Sequence, residues 1–325
     1  MAPKKLAALL LLAAASLTWS NQDFAQAFPS RPIRIVLPYP PGGPSDTMAR
    51  LVGSKVASNT GQPVLIENRP GAGGQIAAAA LMQAERDGYT LLIGDIGVLA
   101  INATLYKNLS FHPEKDFAPI TNLASMPLVL LVPASSRARS VAELVALGKT
   151  TASGINYASQ GPGTGGHIVG ELFKRETGVN FIHVPYKGSA PAIADVISGR
   201  CDFIFDLTMV ARPNVAAGKL AALAIASDHR SPFLQGVPTM AELGYPGVAM
   251  DVWFGLVGRA GTPAGVIDKL NTEFVKAVED PELAKRFTDL TVVPQPMKPD
   301  KFAAFMKEEA ARWGAVVKER GIHVD

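Results

Sequence analysis

Cysteine is all but missing from this 325-residue chain: Cys201 is the only one. No intrachain disulfide can form, so stability has to come from the apolar core. With a single cysteine and five scattered histidines, no spacing suits a metal site and no cofactor is expected. Charge of one sign is also scarce. The formal net charge is +3, and no cluster of Lys and Arg offers a surface for nucleic acid. Neither G-x-S-x-G nor H-E-x-x-H occurs, which removes two familiar hydrolase and zinc-protease signatures. Ser45, His167 and Asp206 can be drawn as a triad, but nothing in their spacing supports one, so an enzyme is not expected. Long apolar runs are missing as well. Only Leu6 to Leu17 comes near, and it falls short of the roughly 20 residues that a membrane span needs.

What is there starts with that short run. Lys4 and Lys5 precede it, and Ala25-Gln26-Ala27 follows as a small-residue cleavage site ahead of Phe28. This is the pattern of a secretory signal peptide over residues 1–27, so the expected mature protein is exported and periplasmic. The rest exceeds the usual size of a single core, which argues for two domains.

Short apolar strands alternate with helical stretches, the pattern of an α/β protein with mostly parallel sheets. Strands are expected at Ile33 to Leu37, Val64 to Glu67 and Thr90 to Gly94, with helices at Ser45 to Ser58 and Gly74 to Arg86. A second set follows: MPLVLLVP, INYAS, FIHVPY, CDFIFD and LAALAIAS as strands, with helices at Val141 to Lys149, Thr164 to Thr177 and Ala190 to Ser198. The tail is helical, from a start at Thr262-Pro263 with Thr262 as the capping residue. Val266, Ile267, Leu270, Phe274 and Val278 follow helical spacing there, and so do Phe302, Phe305, Met306, Ala310, Trp313 and Val317.

Two stretches carry chemistry. In RPIRIVLPYPPGGPSDTMARLV a strand runs through a Pro/Gly turn into a helix that Ser45 or Asp46 can cap. Free N–H groups and the positive helix end make such a turn an anion pocket, and Gly42 and Gly43 allow close approach. INYASQGPGTGGHIVGELFKRETG repeats the arrangement, with Thr164 placed to cap. Gly161, Gly163 and Gly166 formally satisfy G-x-G-x-x-G. The acidic residue a dinucleotide site needs about 20 residues on is replaced by Tyr186 and Lys187, so that reading is rejected. His167, in the first turn of the second helix, is either a neutral donor to a ligand or the partner of a nearby backbone group. Asp206 at the end of CDFIFD and Asp95 after TLLIG place carboxylates at strand ends, where open α/β sheets bind ligands. Asp46 can equally be an ordinary helix-start charge.

Over its mature length the chain resembles the Bug (TctC-type) family of extracytoplasmic solute receptors, the binding proteins of tripartite tricarboxylate transporters. The stretches that carry the resemblance are FPSRPIRIVLPYPPGGPSDTMAR, ENRPGAGGQIAAAALMQAERDGYTLLIG, INATLYKNLSFHPEKDFAPIT, NYASQGPGTGGHIVGELFKRETGVNFIHVPYKGSAPAIADVISGRCDFIFD, GKLAALAIAS, GVPTMAELGYPG, and WFGLV with AGTPA. The resemblance implies a two-domain periplasmic-binding-protein fold of type II, a venus flytrap with a ligand cleft between the lobes. Residues 28–125 and 228–325 would form the first domain and 126–227 the second, hinged near Ser125 and Ser227. It implies capture of a small carboxylate or amino-acid ligand and delivery to membrane transporter subunits by a monomer. A signalling partner is the alternative, and neighbouring genes would discriminate. Carried over, the site would use Tyr39, Gly42, Gly43, Ser45, Asp46, Asp95, Ser159, Gly163, Thr164, His167 and Asp206. Three local departures stand out. GDIG puts Asp95 where small hydroxyl residues are usual, and an extra carboxylate there would repel a second ligand carboxylate or attract an amine. INATLY replaces a more usual Asn-Pro. After Asp206 the chain reads LTMV, so that Leu207 and Met209 would make the wall more apolar.

Overall fold

The computed structural model describes residues 28–324; the expected leader and its cleavage site lie outside them. The first half of the chain lays down β1 (Ile33–Leu37), α1 (Pro44–Thr60), β2 (Val64–Asn68), α2 (Gln75–Met82) and β3 (Thr90–Asp95). A long strand, β4 (Phe117–Pro133), leads into α3 (Val141–Thr150), β5 (Ile155–Ser159), α4 (Gly165–Thr177), β6 (Phe181–Pro185), α5 (Ser189–Ile197), β7 (Phe203–Leu207), α6 (Thr208–Ala216) and β8 (Leu220–Ala226). The chain finishes with β9 (Asp251–Arg259), α7 (Ala264–Val278), α8 (Pro281–Asp289), the short β10 (Val293–Pro294) and α9 (Pro299–Glu319).

The strands run in the order β2-β1-β3-β9-β4-β7-β5-β6, with β8 and β10 also paired to β4. Both ends are parallel, as the βαβ rhythm of the sequence predicts: β1 lies parallel to β2 and β3, and β5 parallel to β6 and β7. The middle corrects the expectation of mostly parallel strands, because β9 and β4 run antiparallel to every neighbour. β4 belongs to both halves. Its residues Phe117 to Pro127 pair with β9, and Leu128 to Leu131 pair with β7.

β9, the first half of β4 and α6 escaped the sequence pattern, and α2 is shorter than expected. β9 reads DVWFGLVGR, and its Gly255 breaks the look of a strand for a packing reason: a Cβ there would sit 2.2 Å from Phe302 Cζ on α9. The first half of β4 carries Thr121, Asn122 and Ser125, which disguise a buried strand. Asn122 Nδ2 donates to Gln295, and Thr121 Oγ1 accepts from Met297 N, so part of that polarity is met internally. α2 ends at Met82 rather than Arg86.

Helix starts also differ in detail. Gly43 is the N-cap of α1, so Ser45 and Asp46 sit inside its first turn. Thr164 is the N-cap of α4, yet its hydroxyl donates backwards to Gly161 O at 2.7 Å and caps nothing. Pro263, not Thr262, is the N-cap of α7, and Thr262 Oγ1 donates to Arg259 O. The tail stripes are core: Leu270, Phe274, Val278, Phe302, Met306, Trp313 and Val317 are buried. Packing α9 against β9 closes the first half, with Trp253 meeting Phe302 edge-on.

Candidate functional site

The two halves meet around a cavity of about 600 Å³, counting the space open to solvent at its mouth. The β1–α1 turn supplies Tyr39, Pro40, Pro41, Gly43, Pro44 and Ser45. The β5–α4 turn supplies Gln160, Thr164, Gly165 and Gly166, and the β6–α5 turn Lys187 to Pro191. Asp95 comes from the end of β3, and Asp206 with Leu207 from the end of β7. Leu128, Val252 and Phe254 form an apolar wall. Three helices of 17, 13 and 9 residues therefore open onto one space through their N-termini. Each brings first-turn N–H groups without intrahelical partners and roughly half a positive charge. That combination favours an anion with several oxygens.

Of the expected site residues, the structure gathers Tyr39, Gly43, Ser45, Asp95, Thr164 and Asp206 on the cavity wall. The other five lie elsewhere for identifiable reasons. Gly42, at φ +83, makes the turn in a left-handed conformation that suits glycine. Asp46 faces back along its helix. Its carboxylate accepts from Arg50 Nε and Nη2 at 3.0 and 2.9 Å, from Gly42 N at 3.0 Å and from Asn68 Nδ2 at 3.0 Å. Burial pulls its pKa up, but these donors outweigh that and hold it below the usual carboxylate value. Its role here is the helix-start charge and brace.

Ser159 is buried behind the second turn, with its Oγ 2.7 Å from His183 Nε2 and accepting from Gly161 N. His167 Nδ1 accepts from Gly163 N at 3.2 Å, which is the backbone-partner alternative. Its ring stacks on His183 at 4.3 Å between centroids. Burial lowers the His167 pKa to about 4, and burial with His167 beside it lowers that of His183 to about 4. Gly163 is a contact between halves: a Cβ there would lie 2.3 Å from Asn102 Oδ1, and its carbonyl packs on Gly97. It lines an adjoining groove between the 70–74 and 160–164 loops rather than the main cavity. Met209 does not line the main cavity either, whereas Leu207 does.

The two cavity carboxyl groups differ in their supply of donors. Asp95 Oδ2 accepts from Tyr39 Oη at 2.7 Å and Oδ1 from Val98 N at 3.1 Å. Burial nevertheless raises its pKa, and burial together with the Asp95 charge raises that of Tyr39. Asp206 Oδ1 accepts from Leu207 N at 2.8 Å and Ser189 Oγ at 3.0 Å. Its Oδ2 is buried without a partner, and burial pushes its pKa up to about 6. Among the described residues no cluster of three His, Cys, Asp or Glu side chains is placed to hold a metal ion.

The third turn, Lys187 to Pro191, was missed as site. Its signal was present: strand FIHVP, then Gly188 at φ +100, then a helix, the same grammar as the other two turns. Gln160, which donates from Nε2 to Phe205 O, carried no comparable signal.

The profile of the tripartite tricarboxylate transporter receptors, TctC, matches residues 48–322. The chain belongs to that family. Among solved structures, the periplasmic binding protein BugD is 31% identical, with a TM-score of 0.86 over 91% of this chain and 99% of its own. Rpa4515 of R. palustris, solved with adipate, is 33% identical, with a TM-score of 0.87 over 91% and 99%. MatC of Rhodopseudomonas palustris, solved with malate, is 35% identical, with a TM-score of 0.85 over 89% and 100%. This TctC-family receptor thus has the mixed α/β fold of periplasmic binding proteins. Among its described residues no helix is long and apolar enough to cross a membrane.

Proposed function

We propose that this receptor captures a small organic carboxylate in the three-turn cavity and hands it to the membrane subunits of a tripartite tricarboxylate-type transporter. The observation that carries the reading is the convergence of three helix N-termini on one enclosed space. A carboxylate seated there takes N–H groups at Ser45 on one side and at Gly165 and Gly166 on the other. Its charge is met by helix dipoles rather than by an arginine, and none lines the cavity. The diacids bound by Rpa4515 and MatC support the class of ligand.

In this reading residues 28–125 with 228–325 form one lobe and 126–227 the other. The change of partner within β4, at Pro127 and Leu128, favours a hinge there. Closure excludes water, strengthens each N–H to oxygen contact, and creates the surface that the membrane partner reads. The receptor acts as a monomer in the periplasm after cleavage behind Ala27. Thermal denaturation of the mature protein with carboxylates, amino acids and neutral sugars tests the reading. A ligand bound only by the native state raises the melting temperature with concentration. Stabilisation by carboxylate-bearing compounds and not by sugars is the expected result; no response to any of them would overturn it.

A further inference from the structure

The sheet carries a second cavity on the face away from the first. Along β9, Val252 and Phe254 line the carboxylate cavity, whereas Asp251 and Trp253 line a separate one of about 590 Å³, counting the space open to solvent. Successive residues of a strand point to opposite faces, so the two cavities lie back to back across the sheet. β4 divides in the same way, with Leu128 on the first side and Ser125 on the second. Trp253, Phe305 and Trp313 give the second cavity aromatic walls, and Asp228, Asp251 and Glu309 set three carboxylates against one guanidinium, that of Arg312. Glu309 is committed to the walls. Its Oε2 accepts both indole N–H groups, from Trp253 at 3.0 Å and from Trp313 at 3.1 Å, and Arg312 pairs with its Oε1 at 3.5 Å. Arg312 is exposed and lies over the Trp313 ring, 5.1 Å from its centroid. The other polar groups are uncommitted. Ser125 is only 8% exposed, yet its hydroxyl has no hydrogen-bond partner among the described residues. Neither Asp228 nor Asp251 makes an ion pair or a side-chain hydrogen bond among them. Oδ1 of half-buried Asp251 is enclosed, so a guest in the cavity meets its Oδ2.

We infer that this second cavity is a binding site for a small organic ammonium ion with an apolar body. The aromatic walls take the apolar part and attract the cation through their ring faces. The ammonium donates to Ser125 Oγ and Asp251 Oδ2, and Asp228 adds charge at the mouth. A bare metal ion does not suit the site, because among the described residues no three acidic side chains are grouped to hold one. An anion does not suit it either, since it would face three carboxylates and one guanidinium. An occupant held in this way touches Ser125 and Asp228, which flank the two places where the chain passes between the proposed lobes.

The site carries its own reporter. With Trp19 in the expected leader, Trp253 and Trp313 are the only tryptophans of the mature protein, and both line this cavity. Benzylamine, with benzyl alcohol as its uncharged counterpart, is titrated into the mature protein and followed by tryptophan fluorescence and calorimetry. The amine is expected to change the emission and to bind about tenfold or more tighter than the alcohol, the range of one hydrogen bond to a charged group. In Asp251→Asn that preference should fall to near parity. If this variant does not fold, Ser125→Ala, which removes the other acceptor, should weaken benzylamine severalfold. Gly43→Val, which fills the carboxylate cavity, should bind benzylamine as the wild type does. No binding of benzylamine, or equal affinity for amine and alcohol, would overturn the inference. So would a preference that survives in Asp251→Asn, or loss of amine binding in Gly43→Val, which would place the amine in the first cavity. None of these results bears on carboxylate capture, which the thermal screen tests separately.

Discussion

The β1–α1 and β5–α4 turns are written in the same grammar, a strand, a glycine turn and a helix, yet their glycines are there for different reasons. In the first turn, a Cβ added at Gly43 would meet nothing nearer than Pro40 O at 3.8 Å, and the backbone is extended, with φ −82. The space it leaves belongs to the cavity. In the second, a Cβ at Gly166 would come within 2.6 Å of Phe205 O, and one at Gly165 within 2.6 Å of Val252. That space is already filled by the protein. The third helical position differs in the same sense. Asp46 braces its own turn through Arg50 and Asn68, whereas His167 is buried against His183 and bonded to Gly163 N. Both turns line the cavity, but the glycine of the first leaves side-chain room for a guest, whereas those of the second are packed against the protein itself.

The same substitution separates them most sharply. Gly166→Ala forces a methyl group onto a backbone carbonyl and should destabilise the protein by about 3 kcal/mol, read from denaturant unfolding. Gly43→Ala should cost about 1 kcal/mol or less, the range of an N-cap change. An equal loss in both would break the comparison.

Acid should act through the second turn. His167 and His183 are held neutral, with folded pKa values near 4 against about 6.5 unfolded. Their burial therefore costs nothing above the unfolded value, and stability drops as pH falls from 6.5 towards 4. For His167 the full loss is on the order of 3 kcal/mol, and for the less buried His183 smaller. His167→Asn, which keeps an acceptor for Gly163 N, should flatten this part of the stability profile. An unchanged slope would show that the histidine pair does not carry it.

Filling the guest space is milder in stability and decisive in function. Gly43→Val should melt within a few degrees of the wild type and lose its thermal response to carboxylates; a normal response would end the open-turn interpretation. The smallest effect belongs to Arg50→Ala. Half exposed, this arginine pairs with Asp46 at the helix surface, so its loss should cost less than about 1 kcal/mol and leave binding unchanged.

Much of this was legible in sequence because it is local. Strand periodicity, the Gly-Gly turns and the apolar stripes of α7 and α9 each depend on neighbours within a few residues. The family resemblance rested on ordered stretches of the same kind. What stayed illegible depends on distant partners. β9 hides behind Gly255 because Phe302 needs the room. Ser159 and His167 look like ligand groups until His183 and Gly163 claim their polar atoms. Lys187 to Pro191 shared the grammar of the other turns, and only the sheet order brings it beside them.

By itself, then, the sequence determined an α/β chain with two glycine turns suited to anions, since backbone geometry and helix ends follow from residues adjacent in the chain. Only the tertiary structure decided that three turns share one cavity and which polar groups are already satisfied. It alone buried Asp206 fully at the end of β7. The physical reason is that a buried hydrogen bond is settled by whichever donor folding brings within about 3 Å, as His183 is brought to Ser159.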